Sequence, residues 1–140
     1  MPIRKPFRSK RQAAKALGYR SGLEQTMSTL FQEVYGQPVD YETEKIQYVV
    51  PASTHKYTPD FKLPNGIYIE TKGRFMPADM KKHLLIKQQH PDLDIRFIFQ
   101  NPNSTNSKRT KTTYANFCEK HGFRYCSYRD TDTIVSWARE

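Results

Sequence analysis

Asp60, Glu70 and Lys72 frame the chemistry open to this sequence. They lie in two strings, Tyr57-Thr58-Pro59-Asp60-Phe61 and Glu70-Thr71-Lys72-Gly73. Carboxylates are preferred ligands of hard divalent cations. Such a cation polarises a phosphodiester, lowers the pKa of a bound water and steadies the leaving oxygen. A nearby ammonium orients that water or neutralises charge developing on phosphorus. Two carboxylates and a lysine therefore suit metal-dependent phosphodiester hydrolysis, provided the fold brings them together. Otherwise Asp60 merely ends a Pro-Asp turn, while Glu70 and Lys72 sit on a solvated strand face. For an isolated carboxylate pair, that second account is the better one.

The elements that must position these groups can be read around them. Pro64-Asn65-Gly66 separates extended stretches at 56–63 and 67–72 and signals a hairpin. A two-residue turn would set Phe61 against Glu70. A three-residue loop pairs Leu63 with Ile67 and Phe61 with Ile69, which gives a clean apolar face. That register places Asp60 opposite Glu70 on the other face, and the strand period keeps Lys72 beside Glu70. Opposed carboxylates repel, and a bound cation removes the conflict.

Leu23, Met27, Leu30, Phe31 and Val34 recur at helical spacing and predict a buried stripe ending before Gly36. Ser21-Gly22-Leu23-Glu24 opens this helix. As a capping box, Glu24 would bond the Ser21 amide. Alternatively, Glu24 is a third carboxylate delivered to the same site. Spacing alone leaves both roles open.

Residues 9–17 can form a short basic helix, capped by Ser9 and stopped at Gly18. Residues 39–50 read as extended, with an alternation that slips from Val39, Tyr41 and Thr43 to Ile46, Tyr48 and Val50, so a bulge or bend is expected. A helix over 78–89, a strand over 95–99, a helix over 113–121 and a strand over 123–126 follow. A C-terminal turn capped by Asp132 carries Ile134, Val135 and Trp137. This order predicts an α/β domain, a mixed sheet flanked by helices. The 140 residues suffice for one compact domain, with much of its core filled by aromatic rings. Cys118 falls on an apolar helix face and reads as core. His83 and His121 could touch DNA or carry protons, but neither has a metal-spaced partner, which favours packing or helix-end roles.

Lys and Arg number 23 against 14 Asp and Glu, a formal charge of +9 that points to a polyanion such as nucleic acid. Arg4, Lys5, Arg8, Lys10, Arg11, Lys15 and Arg20 all precede the first acidic residue, Glu24, and residues 1–19 form a phosphate-seeking arm. Lys108, Arg109 and Lys111 lie in a polar, loop-like stretch over 100–112. Lys81 and Lys82 are further phosphate candidates, or a solvated helix face. The two cysteines make neither a disulfide framework nor a zinc pattern, and no apolar run reaches membrane-spanning length. A reducing, cytoplasmic setting is the expectation.

The two strings that carry the carboxylates resemble the PD-(D/E)xK nuclease motif. A longer set of matches resembles the endonuclease I family of T-seven-like bacteriophages, which are Holliday-junction resolvases. These are Arg20-Ser21-Gly22-Leu23-Glu24, Tyr48-Val49-Val50-Pro51-Ala52-Ser53, the two strings with Leu63-Pro64-Asn65-Gly66-Ile67 between them, Lys81-Lys82-His83-Leu84-Leu85-Ile86, and Phe117-Cys118-Glu119-Lys120-His121-Gly122. The resemblance spans roughly 20–123. It implies a restriction-endonuclease-like core over 20–140, with Glu24, Asp60, Glu70 and Lys72 catalytic. Asp60, Glu70 and the carbonyl of Thr71 would hold one Mg2+ and Glu24 would help hold a second, with Mn2+ able to substitute. It also implies a domain-swapped, intertwined homodimer in which Glu24 of one chain joins the other three residues of its partner. The bridge would lie around 48–54, where proline stiffens the crossing and disfavours folding back. The implied activity is paired nicking of four-way junctions and other branched DNA, in the cytoplasm of an infected bacterium, leaving 5′-phosphate ends. The arm before Arg20, an added residue near Gly36 and the 100–112 loop depart from the family pattern, and the sequence stops at Glu140 short of the family's basic tail. The catalytic set is intact.

Overall fold

Ser21 sits in extended backbone and accepts a hydrogen bond from the Glu24 amide at 3.2 Å, which starts helix α1 (Gly22–Tyr35). Gly36 ends it at φ +73°, a left-handed conformation that glycine enters without a Cβ penalty. The computed structural model describes residues 18–50 and 52–140. Arg4, Lys5, Arg8, Lys10, Arg11, Lys15 and the helix expected over 9–17 lie outside the described residues. Within α1 the expected stripe forms. Met27 and Phe31 are buried, and Leu23, Leu30 and Val34 pack beside them.

The main sheet has five strands: β1 (Asp40–Tyr41), β4 (Phe61–Lys62), β5 (Tyr68–Lys72), β6 (Ile95–Phe99) and β7 (Arg124–Ser127), in that spatial order. The first two pairings are antiparallel and the last two parallel, so the sheet is mixed, as expected. Helices α2 (Pro77–Gln89) and α3 (Tyr114–His121) make the parallel connections, and α4 (Thr131–Ala138) follows β7. Each face of the sheet carries its own core. Met27 and Phe31 of α1 and Ile134 and Trp137 of α4 cover Phe61, Ile69, Ile98 and Cys126. Ile86 of α2 and Phe117 and Cys118 of α3 cover Ile95, Phe97 and Phe99 on the other. Every residue of β6 is buried, as suits a central parallel strand.

The three-residue hairpin is confirmed. Phe61 pairs with Ile69, the Leu63 amide donates to the Ile67 carbonyl at 2.8 Å, and Gly66 closes the loop at φ +91°. The stretch over 39–50 does more than bend. At Glu42, φ is +53°, and the chain then leaves the main sheet to form β2 (Ile46–Val50). The slip in alternation marks this crossing, because Val39 belongs to one core and Tyr48 to the other.

β2 pairs antiparallel with β3 (Ser53–Tyr57), from Ile46–Tyr57 to Val50–Ser53. In the single chain, then, the segment expected to resist folding back does fold back. The Gln89 side chain reinforces this, accepting from the Val49 amide and donating to its carbonyl, both at 2.6 Å. At the C-terminus the helix cap is Asp130, not the expected Asp132. Its carboxylate takes the Thr133 amide at 3.3 Å and hydroxyl at 2.7 Å. Among the described residues, no helix is long and apolar enough to cross a membrane.

Candidate active site

The hairpin of β4 and β5 delivers Asp60, Glu70, Thr71 and Lys72 to one end of the sheet. The start of α1 brings Arg20 and Glu24, and the bend after β1 brings Glu42. Asp60, Glu70 and Glu24 are 1%, 4% and 6% exposed, so these are buried carboxylates and not a solvated strand face. Each is held by a specific donor. Asp60 Oδ2 accepts from the Thr71 amide at 2.9 Å and from the Thr71 hydroxyl at 2.8 Å. Glu70 Oε2 accepts from the Tyr57 hydroxyl at 2.5 Å. Glu24 accepts from the Tyr41 hydroxyl and, at 3.3 Å, from the Ser21 hydroxyl. Glu24 thus follows its helix cap in position while its carboxylate turns to the site.

The expected face-to-face pairing of Asp60 with Glu70 is modified. Asp60 lies beyond the last hairpin pair and turns toward Thr71, while Glu70 Oε1 lies 3.7 Å from Lys72 Nζ. Lys72 is also 3.6 Å from Asp79. Among the described residues, the carboxylate oxygens that gather within 4.8 Å of one another as a group of three belong to Glu24, Glu42 and Asp60; Glu70 is not in that group. Arg20 spans the same three residues. Its Nη2 lies 2.9 Å from Asp60, and its Nε lies 2.6 Å from Glu42 and 3.9 Å from Glu24. The contact with Glu42 is one of charge more than of aligned hydrogen bonding.

Burial dominates the electrostatics. It raises the Glu70 pKa to about 8, assisted by the Asp60 charge and opposed by Lys72 and the Tyr57 bond. It also raises Asp60 above the usual carboxylate range, against the bonds from Thr71. Glu24 shifts upward for the same reason, against the Tyr41 bond. Concentrated buried carboxylates that resist ionisation are relieved by a cation of high charge, and an all-oxygen donor set fits magnesium or manganese.

A cleft of about 430 Å³ opens over Glu70 and Lys72, lined by Arg20, Glu42, Lys45, Lys56, Thr58 and Lys82 as well. Of the phosphate candidates named from sequence, Arg20 and Lys82 line this cleft. Lys81, Lys108, Arg109 and Lys111 are exposed but do not line it. Sequence reasoning missed Glu42, Tyr57, Lys45 and Lys56. The slip in alternation was the available signal for Glu42, since a chain that changes sheets must turn there. His83 is core, edge-on to Tyr57 and Phe97, and Cys118 is fully buried, its thiol pushed up to about 12 by burial.

The family model described as phage endonuclease I matches residues 6–140. The chain is 50% identical over 126 residues to "Endonuclease I" of Escherichia phage T7, covering 90% of this chain and 82% of that relative. It is 52% identical over 107 residues to "Endodeoxyribonuclease 1" of Enterobacteria phage T3, covering 76% of this chain and 70% of the relative.

Proposed function

The chain belongs to the phage endonuclease I family, and from that footing we propose that it is a divalent-metal-dependent DNA endonuclease that nicks four-way junctions and other branched DNA in pairs. The observation that carries this is a cleft walled by Arg20, Lys45, Lys56 and Lys82 over Glu70 and Lys72, with buried Asp60 and Glu24 joined to it through Arg20. The names of the two relatives support cleavage, and DNA as what is cleaved. Binding alone needs no carboxylates beside phosphates.

In this reading Asp60, Glu70 and the Thr71 carbonyl hold one Mg2+, and Glu24 helps hold a second; Glu42 is a further donor within reach of Asp60. A bound ion supplies charge neutralisation and a more acidic water. Lys72 stands beside Glu70, where its ammonium orients the attacking water or meets charge on the phosphate. Lys45, Lys56 and Lys82 take the neighbouring phosphates of the strand in the cleft. Junction geometry is selected by two such sites at fixed separation, reading backbone path more than base identity.

The intertwined homodimer follows from the same proposal. The β2–β3 pairing seen within one chain is the contact that two chains would exchange around 48–54, with Glu24 of one meeting Asp60, Glu70 and Lys72 of the other. The setting is the cytoplasm of an infected bacterium.

Purified protein incubated with a four-way junction and a matched linear duplex, in Mg2+ and in EDTA, tests the activity. Cleavage of the junction in Mg2+ alone is expected; a junction bound but left uncut in Mg2+ would make this a binding protein. Mixed Glu24→Ala and Lys72→Ala chains test the exchange, since heterodimers regain one working site. No recovery after proven subunit exchange refutes the shared site.

A further inference from the structure

Tyr57 is fully buried, and its hydroxyl lies 2.5 Å from Glu70 Oε2. The phenol donates this bond and the Glu70 carboxylate accepts it. Its ring is fixed on two sides. His83 stands edge-on at 5.1 Å and Lys82 Nζ lies 5.0 Å over the ring face. Behind them Phe75 and Phe97 fill the core against His83. The hydroxyl therefore has little freedom to follow Glu70 if that side chain rotates.

The two oxygens of Glu70 are distinguished by this arrangement. Oε2 is taken by Tyr57, and Oε1 lies toward Lys72. We infer that Tyr57 is a positioning residue for metal binding: it fixes the rotation of the Glu70 carboxylate so that Oε1 is presented to the divalent cation. The inference rests on the metal-dependent reading of the site. The other two carboxylates have the same kind of support, Asp60 from Thr71 and Glu24 from Tyr41. Tyr57 differs in reaching its carboxylate from the hairpin of β2 and β3, where it pairs with Ile46. Donors that orient a ligand are worth about 10–100-fold in metal affinity when removed.

The test is titration calorimetry of the full chain with Mn2+, compared with the metal dependence of junction cleavage. Tyr57→Phe keeps the ring and removes the hydroxyl. It is expected to weaken Mn2+ binding by about 10–100-fold and to raise the half-saturating metal concentration for cleavage by the same factor. The rate at saturating metal stays within about threefold of wild type, since Lys72 and the metal charge are unchanged. Tyr48→Phe, in the same apolar cluster and without a hydrogen bond to a carboxylate among the described residues, is expected to leave the affinity unchanged. In a Glu70→Gln background, Tyr57→Phe has no further effect on affinity, as two residues acting through one contact require. Mn2+ affinity of Tyr57→Phe within about twofold of wild type, or an equal loss in Tyr48→Phe, overturns the inference. Unaltered binding by Glu70→Gln overturns the metal reading instead, so the two failures are distinguishable.

Discussion

If Glu70 ligates the proposed metal, binding must displace its proton. Its pKa stands at about 8, raised from 4.5 by burial first and by Asp60 second. A carboxylate binds a cation only after losing its proton. At pH 6 about 1% of Glu70 is ionised and at pH 8 about half, so the metal association constant is expected to rise about 50-fold across that interval. An exposed glutamate would be ionised throughout, and the constant would be nearly flat. At pH 7 each ion bound releases about 0.9 proton from Glu70. Asp60 and Glu24, also shifted upward, add in the same direction. Calorimetric titration with Mn2+ at several pH values, in two buffers of different ionisation enthalpy, reads both quantities. Affinity constant within about twofold from pH 6 to 8, with heats independent of buffer, would refute the reasoning. The same shift fixes a sign for stability in EDTA. A carboxyl whose pKa is raised from 4.5 to about 8 on folding stabilises fully below 4.5, and that contribution is lost as pH rises through about 8. The protein in EDTA should melt lower at pH 8.5 than at pH 6, and Mg2+ should narrow the gap.

His83 carries the opposite sign. Burial first, then Lys72 and Lys82, lower its pKa to about 3 from 6.5, so its contribution is fully present above 6.5 and lost as pH falls toward 3. The loss amounts to about 1.6 kcal/mol between pH 6.5 and 5; His83→Leu, which also removes two ring nitrogens that have no hydrogen-bond partner among the described residues, should remove that contribution from the pH dependence read in urea titrations. Lys45→Ala and Lys56→Ala should each reduce the slope of log affinity against log salt by about 0.9 for one lost phosphate contact, measured with a junction in Ca2+; an unchanged slope removes that lysine from the strand path. Arg20→Gln leaves Glu24, Glu42 and Asp60 without their shared cation, so it should lower the melting temperature in EDTA and much less in Mg2+. An equal drop in both conditions would show that Arg20 and the metal do not answer the same carboxylates.

Local pattern determined a good deal of this protein. The three-residue loop at Pro64-Asn65-Gly66 follows from which register buries Phe61, Leu63, Ile67 and Ile69 together, and that choice is made by side chains a few residues apart. The α1 stripe, its Ser21 cap and its Gly36 stop are likewise short-range consequences of residue type. Asp60, Glu70 and Lys72 were legible because the hairpin itself joins them. What lies across the fold was not. Glu42 reaches the carboxylate group because the chain crosses from one core to the other at φ +53°, a change written in the sequence only as a slip in alternation. Tyr57 looked like any aromatic of the core until the packing of His83, Lys82 and Glu70 around it was seen. Arg20 read as one more cation of a phosphate-seeking arm, yet its guanidinium spans the acidic group. Residue type and spacing fix which groups can do chemistry. Their burial, and so their pKa and their partners, arises from segments distant in the chain, and only the tertiary structure decides it.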